Sequence, residues 1–265
     1  MKALFFDIDG TLIDGGTEIA PPSAIAAIKQ ARDQGDLVFI NTGRVICMTE
    51  NIRRQFGIDG VVSGCGTLIT MGDEMLFERR VDRERGIQLK KDILDNKLDA
   101  YLEAREGIYF FPGPYKNMFR MDRIYEGVSA HCPVFEDGFV RHDFDFDKFC
   151  IILDPGKSRR DYPEFFAACE DFDMIDLGRG FFECVPKPCS KGEGVRRVLE
   201  RYQIPPEDAY IFGDSMNDLS MFQSGVKNRI LMGEHDTGLE PYATFQTKKV
   251  LEDGIAFAMK ELNII

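Results

Sequence analysis

Two aspartates one residue apart, Asp7 and Asp9, end a strongly apolar run in the stretch FFDIDGTLID. Three further polar clusters follow: Asn41-Thr42-Gly43-Arg44, Lys191-Gly192-Glu193-Gly194 and Gly213-Asp214-Ser215-Met216-Asn217-Asp218. Each alone has an ordinary reading, as an Asp-Gly turn, a threonine helix cap or a small polar loop. Together they supply the parts of one reaction. Asp7 and Asp214 offer hard oxygen ligands suited to Mg²⁺, which takes one or two carboxylates alongside waters and phosphate. Thr42, the Gly43 amide and Lys191 can hold phosphate oxygens, which leaves Asp7 as a carboxylate able to attack phosphorus. Asp9, two residues along an extended segment, is expected to face the same site and to exchange a proton with the leaving oxygen. That division needs Asp9 protonated while Asp7 is ionised, as two neighbouring carboxylates titrating as a coupled pair allow.

These clusters need a scaffold that gathers them, and the hydrophobic pattern predicts one. Residues 3–6 read as a buried strand, 21–32 as a helix, 37–40 as a strand, 45–56 as a helix and 61–62 as a third strand. The rhythm returns with a helix at 193–202, a strand at 210–212, a helix at 218–222 and a strand at 230–232. Alternation of this kind predicts a parallel sheet with crossover helices, whose ligand crevice lies outside the carboxyl ends of the strands. All four clusters fall at such strand or helix ends. Between the two halves the pattern changes to helical charge spacing over 87–105 and short aromatic runs such as IYFFPGPY and FDFDKFCIIL. The expected fold is therefore α/β, a Rossmann-like doubly wound parallel sheet formed by 1–82 and 186–265, with an inserted α+β domain over 83–185.

Composition narrows the function further. The 265 residues are 44% hydrophobic, with 22 Phe and no Trp, enough for a packed globular core. A net charge of -12 argues against nucleic-acid and anionic-membrane surfaces, which select Lys and Arg stripes. An anionic substrate would need local positive charge or a cation to overcome that field. Seven cysteines, odd in number and without a CxxC pair, fit neither a disulfide framework nor a zinc site, and suit a reducing cytoplasm. No apolar run approaches the ~20 residues of a membrane span, and no signal peptide is visible. The three histidines lack metal-binding spacing. Oligomerisation leaves no mark; a monomer is the default expectation, with a weak dimer the alternative.

In this order, DxDGT, a Thr after the second strand, a Lys and GDxxND resemble the haloacid dehalogenase superfamily of phosphotransferases. The resemblance implies that Asp7 is the nucleophile forming an aspartyl phosphate and that Asp9 is the general acid and base, its main-chain carbonyl also meeting Mg²⁺. It implies that Thr42 and Lys191 hold the transferring group, that Asp214 is a third metal ligand, that Asn217 contacts phosphate or a metal-bound water, and that Asp218 supports Lys191. Asp7 and Thr42 stand too close to enclose a domain, whereas the long insertion lies between Thr42 and Lys191. That arrangement is similar to the Cof-like group with a type IIB (C2B) cap. The implied activity is hydrolysis of small phosphorylated metabolites, sugar phosphates foremost and FMN or pyridoxal phosphate as other candidates. A phosphomutase or phosphotransferase of the same superfamily is the alternative, and a non-catalytic phosphate-sensing module a third reading. Two departures touch the rim of the site: Cys65 in SGCG stands where such proteins often carry Asn, and Glu234-His235 follow Met-Gly where Asn-Ala is frequent. The turn DLGRGFFE offers Arg179, Phe181 and Phe182 as candidates for reaching substrate.

Overall fold

The computed structural model describes residues 1–15, 17–111 and 113–265. In chain order the elements are β1 (Ala3–Phe6), α1 (Pro22–Asp33), β2 (Leu37–Asn41), α2 (Glu50–Phe56), β3 (Gly60–Ser63), β4 (Leu68–Met71), β5 (Glu74–Glu78) and α3 (Arg83–Asp95). Then come β6 (Asp99–Glu103), β7 (Ile108–Phe110), α4 (Met118–Ser129), β8 (Val134–Phe135), β9 (Lys148–Ile152), α5 (Pro163–Ala168), β10 (Phe172–Asp176) and β11 (Phe181–Pro186). The chain finishes with α6 (Lys191–Tyr202), β12 (Ala209–Gly213), α7 (Leu219–Phe222), β13 (Asn228–Leu231), β14 (Phe245–Gln246) and α8 (Gly254–Glu261). Two compact units result: Met1–Gly43, Glu50–Phe77 and Ser190–Ile265 form the first, and Arg44–Thr49 with Glu78–Cys189 the second.

The first unit holds an eight-stranded sheet in the order β14-β13-β12-β1-β2-β3-β4-β5. The six strands from β14 to β3 are parallel, and β4 then runs antiparallel to β3, so the sheet is mixed rather than wholly parallel. β1 lies centrally because the early strands extend to one side and the late strands to the other. The order therefore reverses beside β1, where the ends of neighbouring strands leave a crevice. Burial on both faces explains why β1 reads as unbroken Ala-Leu-Phe-Phe. Phe5 stacks on Phe39 at 5.3 Å and Phe6 on Phe212 at 4.4 Å. Phe5 and Phe39 join Val195, Val198 and Leu199 of α6 in one core cluster.

The second unit is built on a sheet ordered β10-β11-β9-β6-β7-β8, antiparallel except for the β7–β8 pair. Period-two alternation divides its strands. Ala100, Leu102, Phe149, Ile151 and Phe182 pack with Leu89 and Ile93 of α3 and Phe165 of α5. Tyr101, Ile108, Phe110, Cys150 and Ile152 pack instead with Met121 of α4 and with Val45. A buried charged group interrupts that second face: Lys148 bonds Glu103 and, at 2.7 Å, Glu183.

Three local expectations change. The helical stretch over 87–105 is a helix only to Asp95, after Asp82 caps it by accepting from the Arg85 amide at 2.9 Å. Lys97 then takes a left-handed turn (φ 53°) into β6. The helix expected over 45–56 divides into a 3₁₀ turn, Ile46–Met48, and α2, with the Thr49 hydroxyl donating to the Ile46 carbonyl at 2.8 Å. Side-chain bonding of this kind competes with the helical ladder. Phe181 and Phe182 belong to β11 rather than to a turn, and Phe182 is buried in the core, so it is not placed to reach a substrate. Arg179 does sit in a turn, exposed and with φ 55°.

Candidate active site

The crevice beside β1 gathers residues from β1, β2, α6 and the loop after β12. The ladder continues past β1, the Asp7 amide donating to the Phe212 carbonyl at 3.1 Å, so Asp7 and the Gly213-Asp214 corner leave adjacent strands side by side. Asp7 is 3% exposed. Lys191 opens α6, behind Ser190, whose hydroxyl accepts from the Glu193 amide at 3.0 Å. A cation in the first turn opposes the helix dipole, and a local conflict of this kind marks a residue kept for another purpose. Its ammonium, 1% exposed, lies 2.7 Å from Asp7 Oδ1, 2.7 Å from Asp218 Oδ1 and 3.1 Å from Asn217 Oδ1.

The loop after β12 holds itself in place. Asp218 Oδ2 accepts from the amides of Asp214, at 3.0 Å, and Ser215, at 3.3 Å, so both oxygens of this carboxylate are engaged. A Cβ on Gly213 would stand 2.5 Å from Asp218 Oδ2, which is why the strand must end in glycine. Thr11 Oγ1 donates to Asp214 Oδ1 at 3.0 Å, fixing the carboxylate opposite. Gly10 takes φ 81°, and a Cβ there would meet Asp214 Oδ2 at 2.5 Å. The Asp-Gly turn and the late loop are thus shaped to each other.

Carboxylate oxygens of Asp7, Asp214 and Asp218 lie within 4.8 Å of one another, three acids facing one ammonium. Burial pushes the Asp7 carboxyl up to about 7, with Lys191 opposing the shift and Asp218 adding to it. Burial, then Asp7 and Asp218, push Asp214 up to about 8. Burial alone would lower Lys191, but the Asp218 and Asp7 carboxylates outweigh it and hold the ammonium above its ordinary range. This is an under-neutralised oxygen donor set. It fits a hard divalent cation, which Asp7 and Asp214 could hold, since both oxygens of Asp218 already have partners in Lys191 and two amides.

Of the other sequence candidates, Thr42 is buried one residue beyond Asn41 at the end of β2, with Gly43 next to it. Asp9 differs from Asp7 in burial, though its charge still reaches the Asp7 carboxyl and adds to its upward shift. It is exposed, outside the three-carboxylate group, on a cavity of ≈ 760 Å³ that Asp214, Glu234 and His235 also line. The chain does not stay extended after Asp7: the amides of Thr11, Leu12 and Ile13 turn back to the Ile8 carbonyl. His235 is held by the Met232 carbonyl, 2.7 Å from Nδ1. Cys65 is buried in a left-handed conformation, φ 56°.

Two positioning contacts escape a reading of the motifs. Thr11 belongs to DGT, but spacing alone assigns its hydroxyl no partner. Asn41, fully buried, donates from Nδ2 to the Lys191 carbonyl at 3.0 Å and lies 3.2 Å from Met221 Sδ. Its signal is an amide side chain ending a strand that is otherwise apolar.

Comparison with known proteins agrees with this architecture over nearly the whole chain. The family model for haloacid dehalogenase-like hydrolases matches residues 4–259. The YkrA protein of Bacillus subtilis (strain 168), whose name classes it provisionally as a phosphatase, is 28% identical over 267 residues, covering 100% of this chain and 98% of its own. The 5-amino-6-(5-phospho-D-ribitylamino)uracil phosphatase YwtE of the same organism is 25% identical, over 99% of this chain and 98% of its own. The solved structure of BT4131, titled a HAD subclass IIB sugar phosphatase, superposes with a TM-score of 0.81 at 22% identity over 100% of both chains, a likeness of fold. The chain belongs to the haloacid dehalogenase-like hydrolases.

Proposed function

We propose that the protein is a Mg²⁺-dependent phosphatase of small phosphorylated metabolites, working through an aspartyl phosphate on Asp7. The observation that carries this reading is the Lys191 ammonium held 2.7 Å from both Asp7 and Asp218, with the Asp214 carboxylate in the same group. Asp7 is a buried, oriented nucleophile of the kind that in-line displacement at phosphorus requires. Lys191 opposes the charge that builds on the transferring oxygens. Thr42, the Gly43 amide and the Asn217 side-chain amide hold the phosphoryl group, Asn217 Oδ1 being already engaged by Lys191 and Ser215. Asp9 gives its proton to the leaving oxygen, then takes one from the water that attacks phosphorus in the second half-reaction. Exposure suits Asp9 to trading protons, as burial against a cation suits Asp7 to attack.

Asp7, Asp214 and the Asp9 carbonyl would hold Mg²⁺, which when bound supplies positive charge to the phosphate oxygens. The second unit would act as the cap that selects substrate. Sugar phosphates are the foremost candidates, supported by the titles of YwtE and BT4131, which name a ribityl phosphate compound and sugar phosphates. FMN and pyridoxal phosphate are the next to test. We place the protein in the cytoplasm, as a monomer; no described helix is long and apolar enough to cross a membrane.

The test is Asp7→Asn. Turnover of p-nitrophenyl phosphate falls to background while the circular dichroism spectrum and cooperative melting persist; retained turnover removes Asp7 from the role. Release of free phosphate without an activating bisphosphate separates hydrolysis from phosphoryl transfer to a sugar hydroxyl.

A further inference from the structure

Positive charge is scarce on this chain, whose net charge is -12. In the second unit Lys116 and Lys157 are neutralised at short range, by Asp154 at 2.8 Å and Asp161 at 3.1 Å. Three arginines depart from that pattern. Arg120 and Arg123 of α4, with Arg179 from the turn between β10 and β11, line one cavity of ≈ 650 Å³ whose wall carries no acidic residue. Among the described residues, none of the three guanidiniums is ion-paired. Like charges brought together without a counter-ion repel, and a concave wall of one sign concentrates the field that draws an anion in.

Local structure fastens the three together. Phe119 and Arg123 stand four residues apart on α4 and so share a face, with the guanidinium 5.9 Å from the ring centroid. Arg120 donates to the Arg179 carbonyl at 3.1 Å and lies 5.9 Å from the Phe181 ring centroid, which ties α4 to the turn. The turn itself is tight: the Leu177 amide donates to the Phe181 carbonyl at 2.9 Å, and the Gly178 amide to Asp176 Oδ1 at 2.7 Å. Gly178, Arg179 and Gly180 are all left-handed, with φ 87°, 55° and 77°. That backbone is unfavourable for a residue with a Cβ, so an arginine at the tip carries a cost that its side chain must offset.

We propose that this cavity of the second unit binds a small organic anion, a phosphate, sulfonate or carboxylate carried on an aromatic body. Guanidinium forks match the oxygens of such a group, and three of them await a counter-charge here. The aromatic body follows from the rest of the wall. Phe119 is 78% exposed and Leu177 43% exposed, both beside Phe181, so an inorganic ion would leave apolar surface uncovered. A flat ring can stack on phenylalanine and guanidinium faces alike. A nucleic acid is disfavoured by the charge of the whole chain, which a small ligand does not span. The site stands on the second unit alone and does not rest on the proposed activity.

Calorimetric titration of the full chain with naphthalene-1-sulfonate, in the absence of Mg²⁺, is the test. One saturable site per chain is expected, weakened by salt. Methanesulfonate, which has the anion without the ring, and 1-naphthalenemethanol, which has the ring without the charge, should each bind at least about tenfold more weakly. Arg179→Gln and Arg123→Gln should each lower affinity by about tenfold at an unchanged melting temperature, since each removes a charge-assisted hydrogen bond. Arg54→Gln, in an exposed arginine paired with Glu50, should leave binding as it was. Absence of saturable binding, equal binding of either fragment, or Arg179→Gln and Arg123→Gln proteins that bind like the native chain would each overturn the proposal. The source of the ligand is read from turnover of p-nitrophenyl phosphate: competitive inhibition by the probe, lost in Arg179→Gln, identifies the substrate's own remote end, and binding without competition identifies a separate effector, either of which upholds the site. Affinity is measured without turnover, so failure here leaves the proposed activity standing.

Discussion

Replacing Lys191 with methionine tests the electrostatic core of the site. Methionine keeps most of the apolar stem and removes the ammonium that lies 2.7 Å from Asp7 and 2.7 Å from Asp218, all three groups being at most 3% exposed. Breaking a buried ion pair by removing one partner costs about 3–5 kcal/mol, because the other charge is left uncompensated. Here two carboxylates lose the cation, but each has an escape. Asp218 keeps the amides of Asp214 and Ser215. Asp7, already pushed up to about 7 with Lys191 opposing the shift, rises further without it and takes a proton. The upper part of the range therefore applies only where protonation is unfavourable. We expect a loss of about 4 kcal/mol near pH 8 and roughly half that near pH 5. Urea unfolding at the two pH values reads this directly, with an unchanged m-value showing that the same surface is exposed. A loss below about 1 kcal/mol, or one of equal size at both pH values, would mean that Lys191 is not what neutralises these acids.

Metal binding carries its own pH signature. The folded-state values of Asp7 and Asp214 are raised from 3.8 to about 7 and about 8, so between those limits the folded protein binds protons that the unfolded chain does not. Their contribution to stability is full below the unfolded value and is lost as pH rises through the folded values. Added Mg²⁺ should therefore raise the melting temperature more near pH 8 than near pH 5, and equal shifts at both would refute a site made of these two carboxylates. Gly10→Ala forces a Cβ to within 2.5 Å of Asp214 Oδ2 at φ 81°, and should cost about 2 kcal/mol with turnover falling alongside; a neutral result would show that the close approach is dispensable. In single-turnover measurement of the first half-reaction, Asp9→Asn should slow expulsion of an alkoxide leaving group by about 10²–10⁴ and of nitrophenolate far less, because nitrophenolate leaves without a proton, while hydrolysis of the phosphorylated protein slows alike for both. Equal slowing of the two leaving groups in that first half-reaction would deny Asp9 the proton transfer to the leaving oxygen. In the second unit, Lys148→Met strands Glu103 and Glu183 and should cost about 3 kcal/mol by thermal melting, unlike an exposed lysine such as Lys29.

The parallel half of the fold was legible because its strands are buried on both faces and say so in composition: Ala-Leu-Phe-Phe at β1 and Tyr-Ile-Phe within β12 have no other reading. The polar residues at their ends were legible for the complementary reason, since charges placed directly after such runs need a purpose. The second unit was harder. Asp99-Ala-Tyr-Leu-Glu103 reads as a continuation of α3, and it forms a strand only because tertiary partners override propensity. Asp99 accepts from the amides of Lys116 and Asn117, and Glu103 meets Lys148 from β9. Neither partner is near in sequence. Phe182 reads as a turn residue for a related reason: three left-handed residues, Gly178 to Gly180, complete the turn before it, and β11 begins one residue earlier. The exposure of Asp9 beside a buried Asp7 goes with the turn after Ile8, which alternation along an extended strand does not anticipate. Asn41 and Thr11 were invisible as positioning residues because their partners, the Lys191 carbonyl and Asp214, come from distant parts of the chain.

The central claim is that Asp7 receives the phosphoryl group. Acid quench of the protein during turnover of p-nitrophenyl phosphate, followed by intact-mass measurement and peptide mapping, should find one added phosphoryl group on the peptide that begins the chain, located at Asp7 and missing from Asp7→Asn. Phosphorylation on a different residue, or undiminished labelling of the Asp7→Asn protein, would contradict it.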